Sequence, residues 1–202
     1  EADNDFSSPS LADDPSTALW RAYVNNQIAQ HAEARAQFTK GVEAYGLLPP
    51  MWKARFARAD AQSALAQGDL IGADNRIRMA LEEKVDAQEQ LKSRLVQARI
   101  IELQGFKDRA LKIYKAIATA PIDSVSAPAT LRATQIRLEI GQITPLQAAG
   151  LFDGLRYRWR GDATELETIR ALGQLYLAQG RYREALEALR SAGVRLPALP
   201  EA

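Results

Sequence analysis

Residues 166–199 read LETIRALGQLYLAQGRYREALEALRSAGVRLPAL, and the spacing within this stretch decides the fold. Ile169, Leu172 and Tyr176 recur at helical spacing before Gly180, and Ala185, Leu189 and Ala192 do the same after it. Two short helices with facing apolar stripes, joined by a glycine turn, satisfy that pattern. Gly173 and Ala185 are small where such helices must approach closely, and Pro197 cannot continue the second helix.

The same layout recurs upstream. His31, Gly68, Gly105, Gly141 and Gly180 stand at turn positions separated by 37, 37, 36 and 39 residues. The third repeat keeps Ala98, Gly105, Ala110, Tyr114 and Pro121, and the second keeps Ala61, Gly68, Ala73, Ile77 and Ala80. The fourth carries about two extra residues after Gly141, with Ala148, Phe152 and Leu155 in the corresponding places, and the first retains Ala22, Ala34 and Phe38. A fixed period of roughly 20–50 residues marks stacked supersecondary units. The last repeat is similar to a tetratricopeptide repeat (TPR), W-x2-L-G-x2-Y…A-x3-F…A…P, with Ile169 for Trp and Leu189 for Phe. The mean spacing exceeds the roughly 34 residues of that repeat, so the array is TPR-like. The resemblance implies an all-α, right-handed α-solenoid of about five helix–turn–helix repeats, about ten helices in all. It also implies that the protein binds partners and is not an enzyme.

Composition agrees with such an array. Of 202 residues, 47% are hydrophobic and only 7% aromatic, so alanine-rich helices can pack closely along a continuous seam. Lys and Arg number 26 against 25 Asp and Glu, which argues against nucleic acid as the partner. With no cysteine, neither a disulfide framework nor a thiolate metal site exists. No run of apolar residues is long enough to span a membrane. Residues 1–13, with four acids and no base, read as a disordered or peripheral acidic tail, and residues 14–199 as the superhelical domain. Within it the repeats fall near 14–48, 49–85, 86–121, 125–160 and 162–197. Helix B of the first repeat is expected over about 32–45, and residues 120–127 form a looser connection before Pro128 starts the fourth repeat.

Chemistry-bearing motifs are few. His31 is the sole histidine and lacks the partners that a metal site or a catalytic triad requires. No Gly-rich phosphate cradle is present, and no cofactor is expected. The run RYRWR, residues 156–160, reads either as a grip on an acidic partner or nucleic-acid bases, or as a helix end whose arginines complement the dipole while Tyr157 or Trp159 packs inward.

In TPR arrays the first helix of each pair lines the concave groove. Carried over residue by residue, that register selects Arg21, Asn25 and Ile28; Arg55, Arg58, Gln62 and Leu65; Lys92, Leu95, Arg99 and Glu102; Leu131, Gln135 and Leu138; and Glu167, Arg170, Gln174 and Leu177. Six bases then face two acids on a nearly neutral chain. The candidate partner-binding set is Arg21, Asn25, Arg55, Arg58, Gln62, Lys92, Arg99, Arg170 and Gln174. The carboxylate clamp of chaperone-adaptor TPRs does not fit, because Ala59 and Val96 stand where its second Asn and its Arg belong. The reading is a scaffold of a bacterial multiprotein assembly, binding an acidic protein or peptide. The Arg- and Ala-rich repeats point to a high-GC bacterium, and the Glu1 start fits either a processed periplasmic or envelope protein or an excised fragment. The alternatives are a helical accessory domain of a larger envelope enzyme and an RNA-binding helical repeat.

Overall fold

The computed structural model describes Leu11 and residues 13–195, with side chains to Arg190. Most of the acidic tail, the side chain of Ala192 and the helix stop at Pro197 lie outside the described residues. Among the described residues there are eleven helices and no strand: α1 (Pro15–Gln27), α2 (His31–Lys40), α3 (Val42–Tyr45), α4 (Pro50–Ala66), α5 (Leu70–Glu82), α6 (Ala87–Leu103), α7 (Lys107–Ala118), α8 (Asp123–Glu139), α9 (Pro145–Arg158), α10 (Ala163–Ala178) and α11 (Tyr182–Arg195). This is an α-solenoid of helical repeats. The chain divides into two compact units, Glu1–Ala110 and Leu111–Ala202, with the boundary inside α7.

Each of the five expected turns is built the same way. One residue takes a left-handed conformation, and its N–H and the next residue's N–H cap the carbonyls of the preceding helix. Gly68 (φ 77°), Gly105 (92°), Gly141 (72°) and Gly180 (71°) occupy four of these positions. The N–H groups after them, of Asp69, Phe106, Gln142 and Arg181, donate to the carbonyls five residues back, of Ala64, Ile101, Arg137 and Tyr176, at 2.8–3.1 Å. That pair of bonds is a Schellman cap, which favours glycine because a Cβ opposes the left-handed backbone. In the first repeat the position belongs to Ala29 (φ 60°), not to His31. Gln30 N–H donates to the Asn25 carbonyl at 2.8 Å, closing the same cap, and His31 is the first residue of α2. The expectation that His31 takes the turn is therefore corrected by two residues.

Two other expectations change. The second helix of the first repeat is interrupted at Gly41, where a Cβ would lie 2.5 Å from Leu19 Cγ, so the chain continues as the short α3. The connection expected over 120–127 is helical from Asp123, with Pro128 inside α8. Pro128 has no N–H to give the Ser124 carbonyl, but Val125, Ala127 and Ala129 are all fully buried. Burial outweighs local propensity there. The other helix starts follow from local signals: Pro50 and Pro145 stand at first-turn positions, where a missing N–H costs nothing. Asp69, Asp86, Thr144 and Asp162 cap their helices with side-chain oxygens, and Thr144 with Gln147 forms a capping box.

Each unit has its own core. In the first, Leu19, Phe38 and Phe56 join α1, α2 and α4, and Ala61, Ala73, Ile77, Val96 and Ile100 join α4, α5 and α6. In the second, Leu131, Phe152, Leu155, Leu166, Ile169 and Leu172 join α8, α9 and α10. Gly173 does mark a close crossing, though the neighbour is Leu189, whose Cδ2 would lie 2.9 Å from an added Cβ.

The caps yield a paired prediction. Gly68 has open space around an added Cβ, so Gly68→Ala should cost only its backbone strain, about 1 kcal/mol. Ala29→Gly should relieve that strain and gain about 0.5 kcal/mol after the entropy of the unfolded glycine is counted. Thermal unfolding should therefore move the two midpoints in opposite directions. A fall for Ala29→Gly would show that Ala29 is not left-handed.

Candidate functional site

Within the first unit, α4 and α6 lie side by side and present the densest group of candidate residues. Asp86 accepts the Glu89 N–H at 2.8 Å and fixes the first turn of α6. Glu89 is thereby set at that turn with only 3% of its surface exposed. Its carboxylate gathers three cations. Arg58 Nη2 lies 2.8 Å from Oε2, and Arg55 Nη2 and Lys92 Nζ lie 3.2 and 3.0 Å from Oε1. Arg58 also donates to the Glu89 carbonyl and to buried Ser93 Oγ, each at 3.4 Å. Burial alone would raise the Glu89 pKa, but the hydrogen bonds from Lys92, Arg58 and Arg55 outweigh it and hold it at about 2.

The three cations are not equivalent. Arg58 is almost enclosed, its side chain 11% exposed, whereas Arg55 and Lys92 are 29% and 34% exposed. Arg55 is fixed from a second side, its guanidinium 5.0 Å above the Trp52 ring. Trp52 is held in turn by Trp20 at 4.5 Å and Phe56 at 5.8 Å between centroids. Arg58 is thus a packing residue as much as a surface charge. The register that chose these residues left out Glu89, which sits one turn before its window. The signal was present in the sequence: Asp86 and Glu89 have the D-x-x-E spacing of a helix start.

The remaining candidates of this unit are placed as follows. Arg99 pairs with largely buried Glu102 at 2.9 Å, along α6 from the Glu89 group. Gln62 is exposed, and Arg21 and Asn25 are half-buried on α1. The amide that joins α1 to α4 is the neighbouring Asn26, which donates to the Ala59 carbonyl and Ser63 Oγ at 2.9 Å each. A second buried carboxylate, Asp60 of α4, is met by Arg76 of α5 at 2.8 Å and Arg35 of α2 at 3.7 Å. Burial raises its pKa, and the two arginines offset that only in part.

Arg170 and Gln174 belong to the second unit, so the structure does not gather the nine candidates into one site. Both are exposed on α10, beside two adjoining depressions of about 270 and 280 Å³ between α8 and α10. Gln135 and Gln174 line both, while Arg132 Nη1 lies 3.4 Å from Glu167 Oε1. This groove is charge-balanced and amide-rich, not basic. Leu131, selected for the groove, is 2% exposed and belongs to the core, and the groove residue is its neighbour Arg132. The RYRWR run ends α9: Trp159 packs on the core, Arg156 pairs with Asp153 at 2.7 Å, and Tyr157 is exposed.

Glu89 and Asp60 should respond oppositely to neutralisation. Glu89 has a lowered pKa, so its contribution is complete above the usual carboxylate value of 4.5 and is lost as pH falls towards about 2. Glu89→Gln should cost about 2–3 kcal/mol at pH 7 and flatten the acid limb of stability between those pH values. Asp60 has a raised pKa, so its ionised form is the costly one, and Asp60→Asn should be near neutral or stabilising at pH 7. Urea unfolding of both variants at pH 7 and pH 3 reads the contrast. Equal losses at pH 7 would refute it.

No family model matches the chain, and no curated protein matches it. Solved structures do. A crystal structure of Podosopora anserina putative kinesin light chain nearly identical TPR-like repeats, carrying a single Gln-to-Met substitution, superposes with TM-score 0.59 at 16% identity, covering 89% of this chain and 92% of that one. A second crystal structure of the same repeats gives TM-score 0.58 at 16% identity, covering 90% and 96%. At this identity the likeness bears on fold, and the fold is that of TPR-like helical repeats.

Proposed function

We propose that this chain is a non-catalytic protein–protein interaction scaffold that binds an acidic partner segment on the α4–α6 face of its first unit. The observation that supports this most is the grouping of Arg55, Arg58 and Lys92 around one carboxylate, which leaves the cations in excess. Stacked helical repeats offer extended surfaces that suit a peptide. Arginine matches carboxylates geometrically, and a local positive strip steers acidic ligands even when net charge is near zero. We further place the scaffold in a bacterial envelope assembly, in keeping with a cysteine-free chain that tolerates an oxidising compartment.

The test is binding of a labelled glutamate-rich peptide, by fluorescence anisotropy, to wild type and to charge-reversed variants. Arg55→Glu with Lys92→Glu should weaken binding about tenfold or more and reduce its salt dependence. Arg183→Glu, at a site 88% exposed on α11, is the control and should bind as wild type does. Arg58→Glu is unsuitable because Arg58 is only 11% exposed, so a carboxylate there could not turn away from Glu89 into water as it can at the half-buried positions 55 and 92. Equal binding by the reversed and control variants would refute the assignment of this face.

A further inference from the structure

We propose that Arg55 and Lys92, braced by Glu89, form a receptor for a doubly charged oxyanion, and that its ligand is a phosphorylated side chain on the partner segment. This rests on the scaffold reading above and specifies the chemistry of its site. Three full positive charges converge on one full negative charge, an excess of two. Among the described residues Glu89 is the only carboxylate in ion-pair contact with Arg55 or Lys92. A carboxylate from a partner would cancel half of that excess. A phosphate monoester carries about −1.5 to −2 at pH 7 and has three acceptor oxygens, so it would cancel nearly all of it.

Geometry separates the bracing group from the receiving groups. Arg58 spends its donors inward, on both the carboxylate and the carbonyl of Glu89 and on Ser93. Arg55 and Lys92 each bond the same Glu89 oxygen through one nitrogen and stay about one-third exposed. Arg55 keeps further N–H donors on a plane that Trp52 supports, and Lys92 keeps further ammonium hydrogens. A rigid fork beside a point charge can meet two oxygens of a phosphate and leave the third for the ammonium, which a carboxylate with two oxygens cannot match. Glu89 stays ionised through the physiological range, its pKa held at about 2, so the bracing does not lapse as pH changes. Preorganised donors also lose little freedom on binding.

The probes are three labelled pentapeptides, Gly-Ala-X-Ala-Gly, with X as phosphoserine, glutamate or serine, measured by anisotropy at constant ionic strength. Phosphoserine should bind about tenfold more tightly than glutamate at pH 7.5, and the preference should shrink at pH 5.5, below the second phosphate pKa of about 6. Inorganic phosphate should compete. Arg55→Gln and Lys92→Gln should each abolish the preference, with melting curves confirming the fold, while Arg183→Gln, on the exposed face of α11, should keep it. Equal affinity for phosphoserine and glutamate would overturn the inference, as would a preference that survives both variants. If the glutamate-rich peptide binds but no phosphate preference exists, the scaffold reading stands and this inference falls. If neither peptide class binds, both fall.

Discussion

A carboxylate that is buried and still ionised must be surrounded by donors, and this requirement organises the first unit. Glu89 could not stay charged at 3% exposure without compensation, since an unpaired buried charge costs several kcal/mol. Lys92 and Arg58 supply most of that compensation, Arg58 from α4 at one oxygen and Lys92, with Arg55, at the other. One group therefore does two things: it joins consecutive repeats, and it holds two partly exposed cations in fixed positions facing outward. Function and packing are coupled through it, because the residues that would meet a partner are oriented by a group that the partner does not touch.

Asp60 shows the same arrangement with the opposite balance. Its two arginines come from α2 and α5, and both keep about a third of their surface in water. Compensation is weaker and burial prevails, so its pKa rises where that of Glu89 falls. Such a carboxylate adds little stability. It does connect three helices from two repeats, which penalises any packing that would separate Asp60 from Arg35 and Arg76. The second unit sets a buried carboxylate at the same place: Glu165, 2% exposed at the first turn of α10, follows the cap residue Asp162 and accepts the Gly161 N–H. Its α8–α10 groove sets Arg132 against Glu167 beside the Gln135 amide.

The repeat architecture was legible because its determinants are local. Glycine at a left-handed cap, an aspartate or threonine at the next helix start and apolar residues at helical spacing each act within a few positions. Gly68, Gly105, Gly141 and Gly180 accordingly occupy the caps that the period implied. The misses fall where tertiary contact overrides local preference. Ala29 accepts a left-handed conformation because the hairpin has to turn there, and Pro128 sits within a helix because its neighbours are buried. The candidate site was only half legible for a related reason. A helix register tells which positions share a face, and it brought Arg55, Arg58 and Lys92 together correctly. It cannot tell that an acid one turn earlier will fold inward beneath them, nor that Leu131 is buried while its neighbour Arg132 lines the groove.

The most direct test of the cation cluster is the pKa of Glu89, followed by the carbon-13 shift of its side-chain carboxyl during an acid titration of the folded protein. The expected midpoint is near 2, moving upward when Lys92 is replaced by glutamine. A midpoint at or above the ordinary value of 4.5 would contradict this, because the three cations would then not be gathered on that carboxylate.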